Sequence, residues 1–90
     1  VIGHAYPDAI LTPHAQSQMR RRGVTENAIR AVLASPEQVL EVRPNRVVLQ
    51  SRVQTGPAEK LFRVFVDIDR VPEEVVTVYL TSRVAKYWEA

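Results

Sequence analysis

The chain reads as a single α+β domain, with two N-terminal helices packed on one face of a three- to four-stranded curved antiparallel sheet. Three observations predict this. Helix start and stop signals are confined to residues 12–34, the apolar period drops to two from residue 38 onward, and 90 residues are enough for only one core.

Residues 1–11 hold Gly3, Pro7 and scattered apolar groups, which predicts an irregular or extended lead-in. In "TPHAQSQMRRRG", residues 12–23, Thr12 is suited to cap a helix and Pro13 to its first position, where a missing N–H is harmless. Gly23 suits the residue just past its end. Ala15, Met19 and the stem of Arg22 form one stripe, and His14, Gln18 and Arg21 another. The arginines of residues 20–22 read as a solvated helix end that favours the dipole. A second helix, capped by Thr25 and reaching about Ala34, carries Ala28, Ile29, Val32 and Leu33 as its buried stripe. Ser35 and Pro36 predict at most a short helical turn.

From Gln38 the pattern alternates. "QVLEVR", "RVVLQSRV", "KLFRVFVDI" and "VVTVYLTS" read as strands, separated by the turn signals "PN", "QTGPAE" and "DRVPEE". The whole of residues 1–90 then forms one domain, with the sheet in 38–82 and a tail in 83–90. Tyr87 and Trp88 are expected to pack back on the core.

Composition narrows the function classes. With 46% hydrophobic and 24% charged residues the chain resembles a globular domain. No apolar run approaches the ~20 residues needed to span a bilayer, so the expectation is a cytoplasmic protein without a membrane partner. The lack of cysteine excludes disulfides, a thiolate zinc site and a cysteine nucleophile. The two histidines, His4 and His14, lack metal-ligand spacing, so neither metal nor cofactor is expected. A net charge of +2 permits an anionic partner, and ten of the twelve cations are arginine.

Side chains alternate across a strand, so each strand divides into two faces. Val47, Leu49, Val53, Phe62, Val64, Val66, Ile68, Val76, Val78 and Leu80 form the apolar face that the helices should cover. The opposite face carries Arg46, Gln50, Arg52, Arg63, Thr77, Tyr79 and Thr81, with Arg83 and Lys86 following. Such a face fits either the ordinary solvated side of a two-layer fold or a platform for a phosphodiester backbone, with Tyr79 or Phe65 stacking on a base.

The order "LTPHAQSQMRRRGVTENAIRAVLASPE", "RVV", "FRVFVD" and "VVTVYLTSRVAKYW" resembles a widespread prokaryotic domain family of unknown function. The resemblance runs over residues 11–88. That family is similar in plan to the barnase, EndoU, colicin and RelE group of small ribonucleases, whose open sheet face holds RNA and whose members often pair with an antitoxin or immunity protein. The resemblance implies a metal-independent ribonuclease of toxin type. Cleavage through the 2′-hydroxyl needs a base, an acid and cations at the phosphorane. Imidazole, with an ordinary pKa of about 6.5, makes His14 the first candidate for proton transfer. Tyr79 is the candidate acid and Arg63 the phosphate holder. Arg46, Arg52, Thr77, Thr81, Arg83 and Lys86 would bind substrate. His4 as a second histidine, Lys86 or Tyr87 would supply the remaining proton carrier.

Two other readings stand beside this one. The first is a non-catalytic module binding nucleic acid or protein. The second, a helix-turn-helix DNA reader, is disfavoured because the second helix has one cation and an apolar face suited to the core.

Overall fold

The computed structural model describes residues 5–89; His4 lies outside them. Eight elements follow one another: β1 (Ile10–Leu11), α1 (Pro13–Arg22), α2 (Glu26–Ala34), β2 (Gln38–Arg43), β3 (Arg46–Thr55), β4 (Ala58–Asp67), β5 (Glu74–Thr81) and α3 (Val84–Tyr87). The sheet order is β1-β5-β4-β3-β2. The α+β class and the two helices ahead of the sheet match the sequence reading, but the sheet is five-stranded and mixed. The lead-in contributes a short strand, β1, parallel to β5 through Ile10↔Glu74 and Leu11↔Val75. Two residues cannot announce a strand by periodicity, which is why the sequence reads only as an irregular or extended lead-in there.

The helix boundaries follow from local chemistry. The Thr12 Oγ1 accepts the Ala15 N–H at 3.2 Å and donates to the Val75 carbonyl at 2.9 Å, so one side chain starts α1 and pins it to β5. Gly23 ends α1 with φ +66°, its N–H reaching the Met19 carbonyl. Thr25 caps α2 by accepting the Ala28 N–H. No helical turn forms at Ser35–Pro36, and the chain passes directly into β2. Between β2 and β3, Pro44 and Asn45 make the turn, with Asn45 at φ +67°, a left-handed conformation asparagine tolerates. Gly56, at φ +60°, opens the β3–β4 turn.

The core lies between the helices and one sheet face. Ala15 and Met19 of α1 and Ile29, Val32 and Leu33 of α2 pack with Val47, Leu49, Phe62, Val64, Val66, Val75 and Val78. α2 therefore uses its apolar stripe on the sheet. One assignment from periodicity is corrected. Val75 is fully buried in this core, whereas Val76 is only partly buried. A register shift lets Phe65 pair with Thr77 but Val66 with Val75, so an extra residue on β5 reverses the alternation beyond that point.

On the edge of β5 turned away from β4, no strand pairs beyond Val75 among the described residues, and α1 occupies that edge. The Val78 N–H donates to the Gln18 Oε1 at 3.0 Å, and the Arg22 Nη1 donates to the Val78 carbonyl at 3.0 Å. Two helix side chains thus replace one strand residue, which blunts an edge that would otherwise invite pairing. Among the described residues no helix is long and apolar enough to cross a membrane.

Candidate functional site

The face turned away from α1 and α2 carries four polar residues in cross-strand register: Gln38↔Gln50, Gln50↔Arg63 and Arg63↔Tyr79. They bond in a row across β2, β3, β4 and β5. The Gln50 Nε2 donates to the Gln38 Oε1 at 2.8 Å, the Arg63 Nε to the Gln50 Oε1 at 3.0 Å, and the Arg63 Nη1 to the Tyr79 hydroxyl at 2.6 Å. Gln50 is 0% and Arg63 8% exposed. The row satisfies groups that would be costly to bury alone.

The expectation of an open face fails over β2–β4, because the C-terminal segment lies across it. The Gln50 Nε2 donates to the Tyr87 carbonyl at 2.9 Å, and Gln38 exchanges two hydrogen bonds with the Glu89 backbone. Trp88 stacks on the Arg52 guanidinium at 4.2 Å, and the Tyr87 ring stacks on Arg63 at 4.1 Å. Tyr87 and Trp88 do pack back, but on the outer face instead of the helix-side core. Backbone carbonyls and a tail's path leave no trace in side-chain periodicity, so the sequence does not announce this closure.

Arg63 is a buried cation that forms no ion pair among the described residues. Aromatic faces compensate: Tyr87 at 4.1 Å, Phe65 at 5.2 Å and Tyr79 at 5.7 Å. Phe65 and Tyr79 stack on each other with centroids 6.0 Å apart. The Lys86 ammonium, above the Tyr87 ring at 5.2 Å, is the main cause that holds the Tyr87 phenol below its usual pKa, with Tyr79 and Arg63 adding to it. The structure thus brings Arg63, Tyr79, Tyr87 and Lys86 into one cluster.

The other sequence candidates lie elsewhere or are otherwise engaged. His14 is exposed on the first turn of α1 and shares no hydrogen bond with Tyr79 or Arg63. Arg46 grips Asp67 through two bonds of 2.6 and 3.0 Å, which holds the Asp67 carboxyl below its ordinary pKa. Arg52 grips Glu37 through two bonds of 3.2 and 3.1 Å, with the same effect on Glu37. Arg83 is exposed at the start of α3, its N–H donating to the Thr81 Oγ1. Thr77, Tyr79 and Thr81 line a groove of about 640 Å³ together with Gln18, Arg22, Lys60 and Leu80. The sequence does not single out the groove residues from α1 and β4 as site candidates, although Gln18 and Arg22, four apart, share one helix face with His14. Among the described residues no group of three or more His, Cys, Asp or Glu side chains comes together.

Comparison with known proteins returns one family and no match among curated proteins or solved structures. The family is described as "Domain of unknown function (DUF4258)", and its model matches residues 11–80, ending just before α3. Since the match spans well over half of the 90 residues, the chain belongs to the DUF4258 family.

Proposed function

We propose that this domain is a metal-independent endoribonuclease of toxin type that binds a single RNA strand at the Tyr79 end of the cross-sheet row. One observation carries the reading: Arg63, a guanidinium without a carboxylate partner among the described residues, lies among Tyr79, Tyr87 and Phe65 with Lys86 alongside. The sheet's Arg46 and Arg52 are paired with acids, so Arg63 and Lys86 are the cations on this face suited to a phosphate. The succession of helices and antiparallel strands resembles the barnase, EndoU, colicin and RelE group and supports the reading by analogy.

In this mechanism the base is Tyr87 instead of His14. Its phenolate, favoured by Lys86 and Arg63, takes the proton of the 2′-hydroxyl. The 2′-oxygen bonds to phosphorus, and Arg63 and Lys86 balance the phosphorane charge. The bond from phosphorus to the 5′-oxygen breaks, and Tyr79 gives that oxygen its proton. The Arg63 Nη1, 2.6 Å from the Tyr79 oxygen, stabilises the phenolate left behind. The products are a 2′,3′-cyclic phosphate and a 5′-hydroxyl, and proton return from Tyr87 to Tyr79 resets the pair. A protein inhibitor presenting carboxylates to Arg63 and Lys86 is the partner this site would take.

Purified protein incubated with tRNA and mRNA in EDTA should produce cyclic-phosphate ends. Tyr87→Phe and Tyr79→Phe should each slow cleavage at least ~100-fold, the scale of one proton-transfer group. Wild-type activity should rise with pH toward the lowered Tyr87 pKa, and this limb should vanish in Tyr87→Phe. RNA left uncut by the folded wild type would sink the enzyme reading, and salt-sensitive RNA binding would then identify a non-catalytic module.

A further inference from the structure

The groove where α1 meets the edge of β5 is built almost entirely of hydrogen-bond donors. Its lining residues are Gln18, Arg22, Lys60, Thr77, Tyr79, Leu80 and Thr81, and none is a carboxylate. Gln18 is 8% exposed and its Oε1 is occupied by the Val78 N–H. Its Nε2 has no hydrogen-bond partner among the described residues, yet no buried side-chain nitrogen or oxygen is left unsatisfied. The amide nitrogen therefore meets open space, and the space beside Gln18 is this groove. Arg22 uses Nη1 on the Val78 carbonyl and lies 6.0 Å from the Tyr79 ring centroid, leaving the rest of its fork free. Lys60 forms no ion pair among the described residues.

A donor-lined, carboxylate-free groove suits a ligand rich in acceptor oxygens and negative charge. From Thr77 to Thr81 it follows β5 for about 13 Å, at roughly 3.3 Å per residue, longer than one phosphate group requires. Tyr79 belongs to both places, its ring lining the groove and its hydroxyl bonded to Arg63. The geometry points to the β5-edge groove as a second phosphate subsite, which takes the phosphodiester next to the one held at Arg63 on the same single strand of RNA. Gln18, Arg22 and Lys60 hold that phosphate, while Thr77 and Thr81 bond its sugar and non-bridging oxygens. This assignment rests on the RNA reading above and extends it to substrate length: the minimal tight ligand carries two adjacent phosphates.

The test uses fluorescein-labelled 2′-O-methyl oligouridylates of one to six nucleotides, which cannot be cleaved, and reads anisotropy across a salt series. Affinity for the wild type should step up once two phosphates are present. Lys60→Ala, at a side chain with no hydrogen bond or ion pair among the described residues, should weaken hexamer binding several-fold. It should also lower the slope of log affinity against log salt by about 0.7, one phosphate contact on a single strand. Arg22→Gln should do the same, with circular dichroism confirming the fold. If both variants bind and respond to salt like the wild type while Lys86→Ala weakens binding, RNA lies at Arg63 alone and the groove assignment is overturned. If the wild type binds no oligonucleotide of any length, the RNA reading itself falls, and the subsite with it.

Discussion

The outer face of the sheet has two halves built from similar residue types and put to different uses. Over β2–β4, Gln38, Gln50, Arg46 and Arg52 are each matched with a partner inside the molecule, and the C-terminal segment seals the surface. Along β5, Thr77, Tyr79 and Thr81 line an open groove with Gln18, Arg22 and Lys60. The difference lies in the carboxylates. Glu37 and Asp67 stand beside the closed half and hold its arginines, while no acid among the described residues lines the open half. Arg63 sits at the boundary, anchored to Gln50 on one side and Tyr79 on the other. A polar strand face is therefore closed or left open according to whether its charges find partners at home.

The comparison breaks most sharply at Gln50. Gln50→Leu should cost about 3 kcal/mol in urea denaturation, because the buried Arg63 Nε loses its acceptor and both Gln38 and the Tyr87 carbonyl lose a donor. Thr77→Val in the open half should stay within ~0.5 kcal/mol. Equal losses at the two positions would show that the halves are not distinct.

Acid should act on the closed half next. Asp67 and Glu37 both titrate below their ordinary values because Arg46 and Arg52 hold them. Depressed carboxylates lend stability that is fully present above their unfolded pKa, near 4, and is lost as the pH falls through the lower folded values. Asp67→Asn should destabilise by about 2 kcal/mol at pH 7, where two charge-assisted bonds are removed, and flatten the loss below pH 4. A wild-type stability that does not change between pH 5 and pH 2.5 would contradict this.

The smallest of the three effects concerns the tail. Trp88→Ala removes the stacking on Arg52 and should cost about 1 kcal/mol. Amide exchange should then quicken at Tyr87–Glu89 while the RNA affinity proposed for the β5 groove stays unchanged. Loss of RNA affinity in this variant would show that the closed half also takes part in binding.

Much of the scaffold is written locally. Thr12, Pro13, Gly23 and Thr25 delimit α1 and α2 by capping chemistry, and alternation in β3 and β4 assigns faces that the registers bear out at Leu49, Phe62 and Val64. Alternation fails at Val75 and Val76, because a bulge depends on the strand paired opposite and leaves no mark in one strand's pattern. Of the candidate site residues, alternation brings Arg63, Thr77, Tyr79 and Thr81 to one face. His14 stands outside the cluster because a helix position records only which stripe a residue joins. Whether that stripe meets β5 near Tyr79 depends on how α1 lies along the strand.

The sequence by itself determined the α+β plan, the two helix boundaries and the polar character of the outer face, since each depends on contacts within a few residues or on a simple period. Only the tertiary structure decided which cations are paired with an acid. Arg46, Arg52 and Arg63 look alike in the chain, and what separates them is a carboxylate about 20 residues away for Arg46, one 15 away for Arg52, and three aromatic rings for Arg63. An ion pair requires two groups to meet within a few ångströms, and that meeting is set by strand register and by the path of the tail.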